Sequence, residues 1–176
     1  KTLYYSEDVY PGGYFQYNKD PNNEIFAIQS YDFVTGETKR VTGGPGGACR
    51  PQISHKGDKL AFVKRIREKS VLFVRELKTG KEWPVYDDLS KDQQEAWTVF
   101  GVYTGFSWMP NDKEIVIWAK GKILRIQPEN KKAVEIPFEV NARQTFMETV
   151  EFENPAHLIE NEAKVLRNVI TSKKKK

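Results

Sequence analysis

Cysteine is nearly absent. Cys49 is the only one in 176 residues, so an internal disulfide is excluded, and its place just ahead of an apolar strand reads as that of a small buried hydrophobe. Histidine is almost as scarce. His55 and His157 stand about a hundred residues apart, whereas a zinc or binuclear hydrolase centre gathers several His and carboxylate ligands. No apolar run approaches the ~18 residues of a membrane-spanning helix, so membrane insertion is not expected. An excess of one charge is also missing. Four of the 28 Lys and Arg are Lys173 to Lys176, and the other 24 match the 24 Asp and Glu. The terminal run reads as a solvated end, so the basic balance does not point to a nucleic-acid partner. There is no G-x-S-x-G elbow, no G-x-G-x-x-G and no P-loop. No catalytic, cofactor-binding or metal-ligating residue is therefore assigned.

What the chain does have is a repeat. Ile53-Ser54-His55-Lys56-Gly57-Asp58-Lys59-Leu60-Ala61-Phe62 returns 55 positions on as Trp108-Met109-Pro110-Asn111-Asp112-Lys113-Glu114-Ile115-Val116-Ile117. Each copy runs apolar segment, polar turn, apolar run (Leu60 to Val63; Ile115 to Ala119), and then a third run (Val71 to Val74; Ile123 to Ile126). A further turn and a weaker fourth strand follow (Glu82 to Tyr86; Ala133 to Phe138). A partial copy precedes them, with Thr2 to Ser6, Glu24 to Tyr31, the turn Val34-Thr35-Gly36 and Thr38 to Thr42. Val34-Thr35-Gly36 and Lys78-Thr79-Gly80 lie 44 residues apart, the length of one propeller blade.

Unbroken apolar runs are expected where a strand is covered on both faces; a strand with one wet face alternates. Leu60 to Val63, Val71 to Val74 and Ile115 to Ala119 are unbroken, as in a sheet sandwiched between neighbours. The expected fold is all-β: a partial β-propeller of about three four-stranded antiparallel meander blades, approximately 1–48, 49–88 and 103–140. An irregular or helical segment and the start of a further blade follow over 141–172, and then the lysine tail 173–176. Three blades are fewer than a closed propeller needs. The chain is thus expected to be part of a larger protein, with self-association through open blade edges. It begins at Lys1 without a charged-then-apolar leader, which fits either a removed signal peptide or a trimmed sequence.

The turn Ser54-His55-Lys56-Gly57-Asp58-Lys59 resembles the S-P-D-G-K turn of TolB-like propeller repeats, and Trp108-Met109-Pro110-Asn111-Asp112-Lys113 resembles its W-S/T-P-D-G-K form. Both depart from it: His55 replaces Pro, Lys56-Gly57-Asp58 permutes the order, and Asn111-Asp112 stands in place of Asp-Gly. Ala96 to Tyr103, Phe106-Ser107-Trp108, Ile115 to Ile126 and Ala133 to Phe138 are similar to the TolB-like region that precedes a metal-dependent amidohydrolase domain in bacterial proteins. The resemblance covers residues 49 to 140 best. It implies a periplasmic or secreted protein whose propeller contacts a protein or peptide partner or a downstream catalytic domain. The amidohydrolase His-x-His signature is not in this chain. A stand-alone TolB-like binding protein and the gating propeller of a serine peptidase are the alternatives.

The remaining features fit structural roles. His55 is an exposed turn residue in a position where proline is usual. Gly43-Gly44-Pro45-Gly46-Gly47 is a flexible inter-blade connection, with no Lys-Ser/Thr after it. Asp87-Asp88, and Glu148, Glu151 and Glu153, are solvated acids. Ser90-Lys91-Asp92-Gln93 carries an S-x-x-Q capping pattern that predicts a short helix to about Ala96. Asn154 to Ile170 has helical spacing, but Val165 to Thr171 can also open a fourth blade; the expectation is a short helix or irregular stretch to about Lys164 and then a strand. Tyr4, Tyr5, Tyr10, Tyr14, Phe15 and Tyr17 crowd the first twenty residues. They are expected to pack onto a blade, with a contact surface on the propeller rim as the alternative.

Overall fold

In the computed structural model the described residues are 1–9, 24–67, 69–90 and 105–148. Among them are eleven strands: β1 Thr2–Asp8, β2 Phe26–Asp32, β3 Thr38–Thr42, β4 Ala48–Ile53, β5 Lys59–Ile66, β6 Lys69–Glu76, β7 Glu82–Tyr86, β8 Phe106–Trp108, β9 Ile115–Ala119, β10 Lys122–Ile126 and β11 Ala133–Ile136. They form three antiparallel meanders, β1-β2-β3, β4-β5-β6-β7 and β8-β9-β10-β11. All three belong to one compact unit, Lys1–Glu139; a second unit is Val140–Lys176, whose described residues, 140–148, are exposed and carry no regular secondary structure.

The sequence repeat is a repeat of backbone hydrogen bonds. In the β4–β5 turn Ser54 N donates to Lys59 O at 2.9 Å and Gly57 N to Ser54 O at 2.9 Å; at the matching places of the β8–β9 turn Met109 N donates to Glu114 O and Asp112 N to Met109 O, both at 2.8 Å. The turn before each outer strand repeats three times. Asp32 N, Glu76 N and Gln127 N donate to Glu37 O, Lys81 O and Lys132 O, and Gly36 N, Gly80 N and Lys131 N close back onto the first residue of each turn. Those last three residues all take a left-handed φ, 73°, 74° and 60°, which closes so tight a reversal.

The middle sheet is buried from both sides, and its strands divide their residues between the two. Leu60 and Phe62 of β5 join Ile28 and Ala48 in a cluster with the first sheet, onto which Tyr4, Val41, Phe73 and Leu77 pack. Ala61 and Val63 of the same strand, with Leu72, Val74 and Val85, meet Phe106, Trp108, Ile115, Ile117, Leu124 and Ile126 of the third sheet. Each Val, Leu, Ile or Phe among them, taken fully out of water, contributes roughly 1.5–3 kcal/mol, so the two seams hold the stack together.

Two expectations change. The unbroken run Ile115 to Ala119 predicts cover on both faces, yet Trp118 is 43% exposed and Val116 half-buried, because the described sheets pack on only one side of β9. The last strand ends at Ile136 instead of Phe138; Pro137 has no N–H to continue the ladder, and Phe138 is exposed.

The glycine-rich stretch does connect two blades, β3 to β4, but its glycines answer to close packing more than to looseness. A Cβ on Gly46 would stand 2.3 Å from Arg65 O and one on Gly47 2.9 Å from Phe26 O, both at positive φ. Only a residue without a side chain lets the crossing lie this near its neighbours. The helix expected to Ala96, residues 96–103 of the resemblance, Tyr10, Tyr14, Phe15, Tyr17, Glu151, Glu153, His157, Asn154 to Ile170 and the lysine tail all lie outside the described residues, apart from Ser90 at the head of the capping pattern.

Candidate functional site at the seam between the second and third blades

The two homologous turns, β4–β5 and β8–β9, come side by side at one end of the seam. Asp112 occupies the place that Gly57 holds in the earlier copy, at φ 55° against 74°. An Asp tolerates this left-handed backbone better than most side chains, and here the carboxylate is used. Asp112 Oδ1 accepts from His55 N and from the His55 ring at Nδ1, both at 2.8 Å, and Oδ2 accepts from Lys56 N at 2.8 Å. The Asp112 side chain is 6% exposed and that of His55 55%. Burial pushes the Asp112 carboxyl up, but the hydrogen bonds from His55 and Lys56 outweigh it and hold it below the usual carboxylate range. With Asp112 ionised, Nδ1 of His55 must carry a proton and donate.

Further bonds cross the same seam. Trp108 Nε1 donates to Gln52 O at 2.9 Å and Trp83 Nε1 to Pro128 O at 3.2 Å. Lys59 and Glu129 pair at 2.7 Å. At the opposite end Lys120 pairs with Asp88, and Lys120 N donates to Ser90 Oγ at 2.7 Å. The carboxylates of Asp87-Asp88 are thus tied to separate lysines, since Asp87 lies 3.5 Å from Lys69.

Beside the Asp112 clasp opens a cleft of about 390 Å³, lined by Lys56, Asp58, Lys59, Asn111, Lys113 and Glu129 among others. Its chemistry is that of hydrogen bonding and ion pairing. An Asp–His pair supplies two parts of a nucleophilic triad, but no hydroxyl or thiol lines this cleft. The nearby Ser54 hydroxyl is committed to its own turn: it donates to Asp58 Oδ1 at 2.9 Å and accepts from Asp58 N and Lys59 N. Among the described residues no group of three His, Cys, Asp or Glu could hold a metal ion.

The sequence reading of His55 as an exposed turn residue is correct for its ring but misses Asp112. The available signal was the departure itself, an Asp where the repeat wants Gly. Cys49 is buried, as expected for a small hydrophobe. Glu148 is exposed. Tyr4 packs onto the first seam, and burial raises its hydroxyl above the ordinary value.

No family model matches the sequence, and no curated protein matches it. Solved structures do. TolB from Acinetobacter baumannii superposes with a TM-score of 0.50 at 17% identity, over 68% of this chain and 29% of TolB. The fold is that of part of a TolB-like β-propeller. The propeller domain of the Trilobed protease from Pyrococcus furiosus gives 0.45 at 16% identity, over 64% of this chain and 35% of that one. The tricorn protease gives 0.47 at 14%, over 59% and 11%. The chain spans less than a third of TolB's length, and identities this low speak to fold alone. The three meanders are accordingly propeller blades.

Proposed function

We propose that this chain is a non-catalytic propeller module of an exported, periplasmic or secreted protein. It contacts a protein or peptide partner, or controls substrate access to a hydrolase domain of the amidohydrolase kind. The observation that carries this reading is the outer face of the third blade. Val116, Trp118, Ile123, Val134 and Ile136 form a largely apolar surface, half-buried to exposed, with Arg125 between Val116 and Val134 paired to Glu114, whereas the same face of the second blade is closed by its neighbour. A stack of this kind is completed by more protein. The clasped seam supports it too, because its buried polar groups hold blades together and, among the described residues, stand beside no free nucleophile. The export and the amidohydrolase connection rest on the sequence resemblance.

The test is an assay of the purified 176-residue chain against amide and ester substrates with and without added zinc or manganese. No turnover is expected; metal-dependent hydrolysis would overturn the module reading. The flanking coding sequence distinguishes its variants. His-x-His with further His and Asp fits the hydrolase-linked module. Additional blades and a stop fit a stand-alone binding protein, and G-x-S-x-G fits a serine peptidase propeller.

A further inference from the structure

Among the described residues five other than glycine have a positive φ: Arg50, Arg67, Asp112, Lys120 and Lys131. Four lie in the reversals between antiparallel strands, where chain direction demands it. Arg50, at φ 58°, lies inside β4. The ladder explains how. Cys49 pairs with Val63 and Gln52 with Ala61, so Arg50 and Pro51 together oppose Phe62, which is a β-bulge. Pro51 has no N–H to give. The N–H of Arg50, turned out of the ladder, donates to Ser6 Oγ of the first blade at 2.9 Å. The bulge is thus locked from a second blade.

Its effect is to present one side chain. Arg50 is exposed although Ala48 and Cys49 before it are buried, and among the described residues its guanidinium has no hydrogen-bond or ion-pair partner. β4 is the edge strand of its sheet and approaches both β1 and β8, so Arg50 stands on the inner edge where the three blades converge. In a propeller this edge lines the central channel. Strained backbone that the surrounding structure holds in place, at an exposed charged residue on such an edge, is a mark of a working residue.

We propose that Arg50 binds a carboxylate, supplied by the C terminus or an acidic side chain of a peptide. The planar guanidinium matches a carboxylate with two parallel N–H donors. One guanidinium matches the single negative charge of a carboxylate better than the two of a phosphate dianion, which Glu7 and Asp8 of β1 would repel more strongly. The choice of a peptide rests on the interaction-module reading; the anion chemistry rests on Arg50.

The test is an NMR titration of the 176-residue chain, up to about 10 mM, with four probes. These are N-acetyl-trialanine with a free C terminus, its C-terminal amide, N-acetyl-Ala-Glu-Ala-amide and inorganic phosphate. The first and third probes distinguish a terminal from a side-chain carboxylate, and saturable binding of at least one is expected, at least tenfold weaker for Arg50→Gln. Arg50→Gly, which suits the left-handed backbone, is expected to lose binding while melting at the same or a higher temperature. Equal binding by Arg50→Gln, binding of the amide as tight as of the acid, binding of phosphate alone, or no binding of either carboxylate probe would each overturn the proposal, as would a lower Tm for Arg50→Gly. Hydrolysis in the activity assay would defeat the module reading and leave this titration to be judged on its own outcome.

Discussion

Val63 of the second blade and Trp118 of the third hold the same place in the repeat, and they live in different surroundings. Val63 is 3% exposed because the third blade packs on it; Trp118 is 43% exposed. Their strands share hydrophobic pattern, pairing and turn hydrogen bonds, so the difference does not come from the strands. It comes from position in the stack. A blade cannot bury both faces alone, and cover is a property of its neighbours. The second blade has two, and the third blade has one among the described residues.

The largest effect expected from this contrast is on the middle blade. Phe62→Ala should destabilise by about 3–5 kcal/mol, the range for a large side chain removed from a closed core, measured by urea unfolding. The same truncation at Trp118 should cost less than about half of that, since nearly half of the ring is already in water. Comparable losses at the two sites would mean that the third blade is as closed as the second.

Asp112 comes next. Asp112→Ala removes the acceptor of three hydrogen bonds and leaves two backbone N–H groups of the second blade without their partner. Its Tm should fall, and by more than that of Asp112→Gly, which forfeits the clasp but restores the residue type the repeat uses at this φ. Equal melting of the two variants would show that the backbone at Asp112 carries no strain.

A smaller effect is expected in acid. The ordinary carboxyl value is 3.8, and Asp112 ionises below it in the folded chain. The folded state therefore binds fewer protons than the unfolded one between the two values. The contribution of Asp112 is fully present above 3.8 and is lost as the pH falls through the lowered folded value. Asp112→Asn should make the acid limb of Tm against pH shallower without abolishing it. Asp32, held low by backbone hydrogen bonds from Val34 and Thr35, keeps its share. So does Glu82, which burial raises but Thr42, Arg75 and Lys64 hold low. An unchanged acid limb in Asp112→Asn would show that the seam does not depend on the charge.

The smallest expected change in stability is for Trp118→Ser, on the order of 1 kcal/mol or less. Its effect should appear in association: less concentration-dependent sedimentation and weaker binding of an apolar dye than the parent chain. Sedimentation that stays the same would place any self-association elsewhere than on the third blade's outer face.

Much of the fold was legible because its signals are local. Val34-Thr35-Gly36 and Lys78-Thr79-Gly80 announce reversals that need a left-handed residue, and the apolar runs beside them can only be strands of a buried meander. The candidate site was not legible to the same degree. Asp112 and His55 are 57 residues apart and Arg50 and Ser6 are 44; nothing in the local pattern says that these pairs meet. The bulge at Arg50 leaves even less trace. Pro51 warns that a ladder bond is missing, but which side chain is turned outward depends on the partner strand.

By itself the sequence determined the strands, their turns and the spacing of the blades, because backbone reversal and apolar periodicity are decided by neighbours in the chain. The tertiary structure alone decided which faces are covered, that Asp112 clasps the preceding blade, and that Arg50 is held exposed at the inner edge. Those outcomes follow from blades packing on one another, where a carboxylate buried among foreign N–H groups and a sheet face that no other described sheet covers acquire properties that no segment has alone.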